Sequence, residues 1–431
     1  MRLNAVVFGL GNHEAAWRMP ESNPLDSTSP EHWIGIGRLA EEAGFDALFL
    51  GDVLALLQGA ERHLSDAMDP LVVLSVLAAT TKHIGLIGTA STSFEAPYHL
   101  ARRFASLDHM THGRAGWNVV TSSNVREARN FGYEQLPDHA ERYARAADTL
   151  DAALALWESW DPDARIANKA TGFYLDPARL HQVDHAGPYV RTTGPLNTPR
   201  SPQGRPVLVQ AGSSADGRAL AATYADVVFT AQTSLTSARD FYGDIKRRAV
   251  AAGRDPEQVL VMPGLMPVVA ASRWEAEDRL AAIDQHIVHD HALALLSEYL
   301  QLDADALDLD EPLPAMVQPR SETNQSRLDL ILDLSRREHL SVRQLLARVG
   351  GGRGHLLQAG TPEEIVDTMQ SWFEARGADG FNIMPPVLPA DLETFSNLVM
   401  PELKRRGLRQ EAAEGQTLRQ RYGLKVATRL S

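Results

Sequence analysis

The runs HIGLIGTAS (83–91) and AGWNVVT (115–121) consist almost entirely of apolar and small residues, with no alternation of polar and apolar positions. A strand of this kind is buried on both faces, which normally means a parallel sheet covered by helices. Working outward, the same character recurs in LNAVVFG (3–9), ALFL (47–50), PVLVQAG (206–212), ADVVFT (225–230), VLVMPGLMPVV (259–269) and FNIMPP (381–386). Helical patterns separate these runs. Residues 31–44 place Ile34, Leu39 and Ala43 at roughly helical spacing and stop at Gly44, a C-cap signal. Residues 69–81 open with Asp69-Pro70, an N-cap followed by proline at the first helical position. Residues 138–158, 214–224, 234–252 and 362–376 follow the same scheme, the last opening with Thr361-Pro-Glu-Glu. Eight strands alternating with helices are the count of a (β/α)8 TIM barrel. A doubly wound open sheet fits the same alternation almost as well, and the barrel is the reading adopted.

The chain has 431 residues, enough for two or three domains or one large α/β barrel. Its 44% apolar content supports a sizeable core. With no cysteine, a disulfide framework, a thiolate zinc site, an iron–sulfur cluster and a cysteine nucleophile are all excluded. A net charge of −13 argues against nucleic acid as the main partner. No apolar run approaches a membrane span, and the N-terminal segment turns polar at Gly11-Asn-His without a signal-peptide cleavage pattern. A soluble cytoplasmic protein that binds neither nucleic acid nor membrane is therefore expected.

A closed barrel needs only about 250 residues, so insertions are expected. One is placed at about 160–205 and a larger, lid-like one at about 275–350, before the last βα unit. The larger ends in Val349-Gly-Gly-Gly-Arg-Gly-His355. A single barrel domain over 1–400 is followed by a basic C-terminal arm, 401–431, carrying Lys404, Arg405, Arg406, Arg409, Arg419 and Arg421. That arm reads either as packing on a partner subunit or as a solvated charged helix.

Several motifs fail on inspection. Gly9-Leu-Gly11 follows a strand, but Glu14 occupies the third glycine position of a dinucleotide fingerprint. No P-loop occurs, and Gly212-Ser213-Ser214-Ala215-Asp216 lacks the second glycine of a nucleophile elbow. His286, His289, Asp290 and His291 miss the usual zinc spacing and read as a solvated or core-edge cluster, so no metal is expected. Gln210-Ala-Gly-Ser-Ser214 is more informative, because a buried strand there meets a helix through small residues. The helix N-terminus and two hydroxyls suit a phosphate, and plain capping by Ser213 or Ser214 suits the sequence equally. His139 and Tyr143 are four apart and share a helix face. His13, Asp52 and Asn118 each stand at the end of a strand, where barrel active sites are built.

The segments DPLVVLS (69–75), IGLIGTASTSFEAPYHLARRFASLDHMTHGRAGWNVVTS (84–122) and DHAERYARA (138–146) form one continuous set. With HQVDHAGPYVRTTGPLNTPRSPQGRPVLVQAGSSADGRALAATYADVVFT (181–230) and GTPEEIVD (360–367), the chain resembles the bacterial-luciferase-like flavin-dependent monooxygenases. The branch is that of nitrilotriacetate monooxygenase component A and dibenzothiophene-sulfone monooxygenase. The resemblance implies a barrel binding reduced FMN (FMNH2), supplied by a separate NAD(P)H:flavin reductase through diffusion or transient contact. It implies O2 as co-substrate, a C4a-(hydro)peroxyflavin, transfer of one oxygen atom to a small organic substrate, and a homodimer or homotetramer.

It also assigns roles. Ser213, Ser214, His139 and Tyr143 match positions that hold the FMN phosphate and ribityl chain. Asp52, Thr89, Ser91 and Asn118 match positions around the isoalloxazine ring, and residues 89–91 match a strand end that sometimes carries a non-proline cis peptide. His13 and His355 match polar positions over the substrate side of the flavin, as catalytic residues. The alternatives are a deazaflavin-dependent, hydride-transferring oxidoreductase of the same superfamily and a non-catalytic flavin-binding protein.

Overall fold

The computed structural model describes residues 1–56, 60–62, 64, 67–288, 341–352, 354–409 and 415–426, with single positions or short pieces between 293 and 340. Nine parallel strands form the main sheet. They are β1 (Arg2–Val7), β2 (Ala47–Leu50), β3 (Gly85–Ser91), β4 (Ala115–Val120) and β5 (Val207–Gln210), then β6 (Val227–Thr230), β7 (Leu260–Val269), β8 (Leu356–Gly360) and β9 (Gly380–Ile383). Neighbours pair in chain order from β1 to β7, β7 pairs with β9, and β9 returns to β1 in the register Arg2↔Gly380. This closes a ring of eight strands. All eight runs singled out in the sequence lie in it, and the open doubly wound sheet is excluded. β8 is additional: among the described residues it pairs only with Leu265–Val269 of β7, and the sequence reading does not include it.

The twelve described helices are α1 (Pro30–Ala43), α2 (Pro70–Thr80), α3 (Pro97–Met110), α4 (Val125–Asn130), α5 (His139–Trp157) and α6 (Ala215–Tyr224), followed by α7 (Leu235–Ala251), α8 (Arg273–Asp284), α9 (Val342–Gly352), α10 (Pro362–Glu374), α11 (Ala390–Arg405) and α12 (Leu418–Tyr422). Their ends follow local chemistry. Gly44 is left-handed and caps α1, Asp69 accepts the Leu71 and Val72 N–H groups, and Thr361 with Glu364 forms a capping box on α10. One face of α1 is buried. Trp33, Ile36, Gly37 and Ala40 face the core, with Leu39 and Ala43 at its margin.

Inside the ring, Val6, Phe49, Ile87, Val207, Val209, Met262, Met266 and Met384 fill the barrel. A polar layer lies among them: Asn4 donates to Asn382 Oδ1 (2.9 Å), and the Tyr422 hydroxyl donates to Asn4 Oδ1 (2.6 Å). Residues 160–205 carry two small antiparallel pairs, Arg165–Asn168 with Phe173–Leu175 and Asp184–Ala186 with Arg191–Thr193. In the long segment between β7 and α10, Ile283 of α8 and Val342, Leu345 and Leu346 of α9 pack on Ala15, Ala16 and Met19 of the loop after β1. His289, Asp290 and His291 lie outside the described residues.

The basic tail is solvated only in part, with Lys404 and Arg405 exposed at the end of α11. Arg409, Arg419 and Arg421 are buried at the N-terminal end of the chain's own barrel. Arg409 pairs with Asp46 (2.5 Å) and Arg419 with Asp226 (2.6 Å), two carboxylates lying just before β2 and β6. Those carboxylates are themselves anchored by strand-start N–H groups, of Leu3 and Leu208, and the arginines complete their coordination.

Candidate active site

At the opposite end, the C-terminal ends of the strands open into a cavity of about 440 Å³. Asp52, Thr89, Ser91, His139, Tyr143, Ser213, Ser214 and His355 line this one space. Eight candidates from five different elements and loops thus converge, although more than 300 residues separate the first from the last.

Asn118 lies just behind the wall. Its Nδ2 donates to Thr89 Oγ1 (2.9 Å), which in turn donates to the Leu50 carbonyl (2.7 Å). That chain ties the ends of β2, β3 and β4 together and leaves Asn118 Oδ1 buried without a donor among the described residues. Gln210, at the end of β5, presents a second such oxygen, Oε1, and lines the cavity. A buried acceptor of this kind is costly unless something donates to it, so Gln210 Oε1, at the cavity wall, calls for an N–H group from a bound molecule.

The helix end supplies the complementary chemistry. Ser214 caps α6 by accepting from Gly217 N (3.1 Å), so the capping reading is realised. The earlier N–H groups of the first turn have no intrahelical acceptor and carry the positive end of the helix dipole. Ser213 Oγ lies 3.4 Å from Thr230 Oγ1. A Cβ on Gly212 would fall 2.6 Å from the Tyr143 hydroxyl and 2.4 Å from Gln210 Nε2, so bare backbone is what lets both side chains reach this turn. His139 stacks at a tilt on Tyr143 (4.8 Å) and its Nδ1 meets Asp216 Oδ2 at 3.0 Å. The concave surface suits an anion such as a phosphate monoester, with hydrogen-bonding groups further along for a heterocyclic ring. A flavin mononucleotide fits this donor and acceptor set.

Burial pushes the Asp52 carboxyl up to about 6, against the pull of the Val53 N–H and helped by the charges of Asp69 and Glu127. Ser91 Oγ meets Ser122 Oγ at 2.9 Å. Ser122 holds a left-handed φ of 45°, uncommon for a residue with a side chain and frequent at functional sites. Residues 89–91 contain no cis peptide; among the described residues the cis bonds are Gly194-Pro195 and Leu388-Pro389.

His13 does not reach the cavity. Its ring is wholly buried, with Nε2 3.0 Å from Asp284 Oδ1 of α8 and Nδ1 accepting from Ala15 N (3.1 Å). His355 does reach it, stacked on Phe229 at 5.1 Å. Sequence reasoning gave Gln210 no role of its own and missed Thr230, Glu127, Arg142, Ser122 and Phe229, all of which line the space. Gln210 and Thr230 end their strands on a polar residue, the same signal that picked out Asn118. Glu127 and Arg142 lie on helices and carry no such signal.

The chain matches the luciferase-like monooxygenase family over residues 10–380. It is 42% identical to N-acetyl-S-(2-succino)cysteine monooxygenase of Bacillus subtilis, over 98% of this chain and 96% of that one. It is 42% identical, with the same coverages, to nitrilotriacetate monooxygenase component A of Aminobacter aminovorans. Among solved structures, riboflavin lyase with modified FMN and riboflavin superposes with a TM-score of 0.89 at 31% identity, covering 99% of this chain and 96% of that one. The converging rim of the barrel and these full-length matches agree: the chain belongs to the luciferase-like monooxygenase family and is a flavin-dependent monooxygenase.

Proposed function

We propose that this chain is the oxygenase of a two-component system, using reduced FMN from a separate NAD(P)H:flavin reductase to insert one atom of O2 into a small organic substrate. The observation that carries the proposal is the cavity in which the N-terminus of α6 and the polar strand ends Asp52, Thr89, Ser91 and Gln210 lie together. The relative named component A supports a second, reductase component. Reduced FMN, when bound, supplies the electrons that activate dioxygen.

The chain's own residues have separable tasks. Ser213, Ser214, His139 and Tyr143 would hold the phosphate, and Asp52, Thr89, Ser91, Asn118 and Gln210 would hold and orient the ring. His355, at the cavity wall, is suited to holding or moving a proton at its imidazole nitrogens. His13, with both nitrogens engaged by protein, serves to hold the loop after β1 against α8. Phe229, Val119 and Leu54 line the same space and limit water access.

The test pairs the purified chain with a generic flavin reductase, NADH, FMN and isotopically labelled dioxygen, over a panel of small organic substrates. One labelled atom should appear in product, only when the reductase is present. Product formation without dioxygen, or full activity with a reduced deazaflavin in place of FMNH2, would overturn the proposal.

A further inference from the structure

Gly264 lies within β7, and its backbone does not require glycine, because its φ is outside the left-handed region. Its surroundings do. Residues 260–263 of β7 pair with β6 and residues 265–269 with β8, so Gly264 is the position between those two partners. His355, the residue just before β8, enters there. A Cβ on Gly264 would fall 2.3 Å from Nδ1, 2.8 Å from Cγ and 3.0 Å from Cε1 of His355. Three atoms of one ring lie too close, so the imidazole rests directly on bare strand backbone. Phe229 of β6 stacks on the same imidazole, and the His355 N–H donates to the Gly352 carbonyl (2.8 Å) at the end of α9.

We infer that Gly264 is a positioning residue for His355: the absent side chain is the notch that lets the imidazole sink beside Phe229 and face the cavity. Any larger residue turns the ring outward, since a side chain rotates at far less cost than a buried strand shifts. The functional half of this inference rests on the reading of His355 as part of the flavin site; the geometric half does not.

Two measurements test it. In protein labelled with 15N-histidine and without flavin, the ring resonances of His355, identified by their loss in His355→Ala, should move in Gly264→Ala while those of other histidines stay in place. In the coupled assay, Gly264→Ala should lower kcat by about tenfold or more and alter its pH profile as His355→Ala does. Adding Gly264→Ala to His355→Ala should change nothing further, because the removed imidazole leaves room for the new methyl. An unmoved His355 resonance, or effects that multiply in the double variant, would overturn the inference. If Gly264→Ala does not fold, His355→Ala must restore folding; failure to do so also overturns it. Should no oxygen transfer be found at all, the resonance measurement still decides the geometry.

Discussion

Asp52 is half-buried at the cavity rim, and burial raises its carboxyl to about 6, well above an ordinary aspartate. The sign of its contribution follows from linkage. The folded state holds this proton more tightly than the unfolded chain, so stability from this group falls as pH rises from about 4 through about 6, and the charged form is a standing cost above that. Asp52→Asn removes the cost. After allowance for its partly open position, denaturant unfolding at pH 8 should show the variant more stable by about 1 kcal/mol, with the gain shrinking by roughly half at pH 5. A gain independent of pH would mean that Asp52 is charged and well solvated in the folded protein. The same carboxyl faces the proposed ring site, so the variant should also change the pH dependence of turnover on its acid limb.

The first turn of α6 carries the phosphate assignment, and its two serines are unequal. Ser214 caps the helix, so Ser214→Ala should cost about 1 kcal/mol of stability as well as cofactor affinity. Among the described residues the Ser213 hydroxyl makes one long contact, to Thr230, so Ser213→Ala should leave stability nearly unchanged. In the double variant, loss of hydroxyls bonded to a charged group should weaken FMNH2 binding by about tenfold or more. Anaerobic fluorescence titration checks this, and reduced riboflavin, which lacks the phosphate, should bind both proteins equally. Equal weakening for both flavins would sink the assignment.

This turn was legible because a continuous apolar strand, small residues and a helix start fall in one short window. The eight ring strands were legible for a similar reason, being buried on both faces. β8 was not, because LLQAG (356–360) is half-buried and exists only as an extension beside β7. The strand-end rule also misplaced His13, since what draws that ring away is Asp284, 271 residues later, on a helix of the long insertion.

At the scale of the whole molecule, the two ends of the barrel have divided their tasks. Polar groups that seek a ligand gather at the C-terminal mouth, whereas at the N-terminal end Asp46 and Asp226 are paired by arginines of the chain's own tail. Leu418 and Tyr422 enter the interior core, and Leu418 packs so closely on Gly85 that a Cβ there would lie 2.5 Å away. Arg419 spans Asp226 through both terminal nitrogens, at 3.2 and 2.6 Å, with each partner only 4% exposed. Removing one member of such a pair leaves a buried charge without its counterpart, at a cost of about 3–5 kcal/mol. Arg205 and Arg254, whose charges also reach Asp226, offset part of that cost. Arg419→Met should therefore lower the denaturation midpoint by an amount equivalent to about 2–3 kcal/mol, and Arg419→Met with Asp226→Asn should recover much of it. Since the pair lies at the end of the barrel opposite the cavity, kcat measured well below the unfolding temperature should not change in either variant. A midpoint shift under about 0.5 kcal/mol for Arg419→Met would show that the tail rests on the barrel without supporting it. A loss of kcat at full folding would show instead that strain from the N-terminal end is transmitted along the strands to the mouth, through the same interior layer in which Tyr422 meets Asn4.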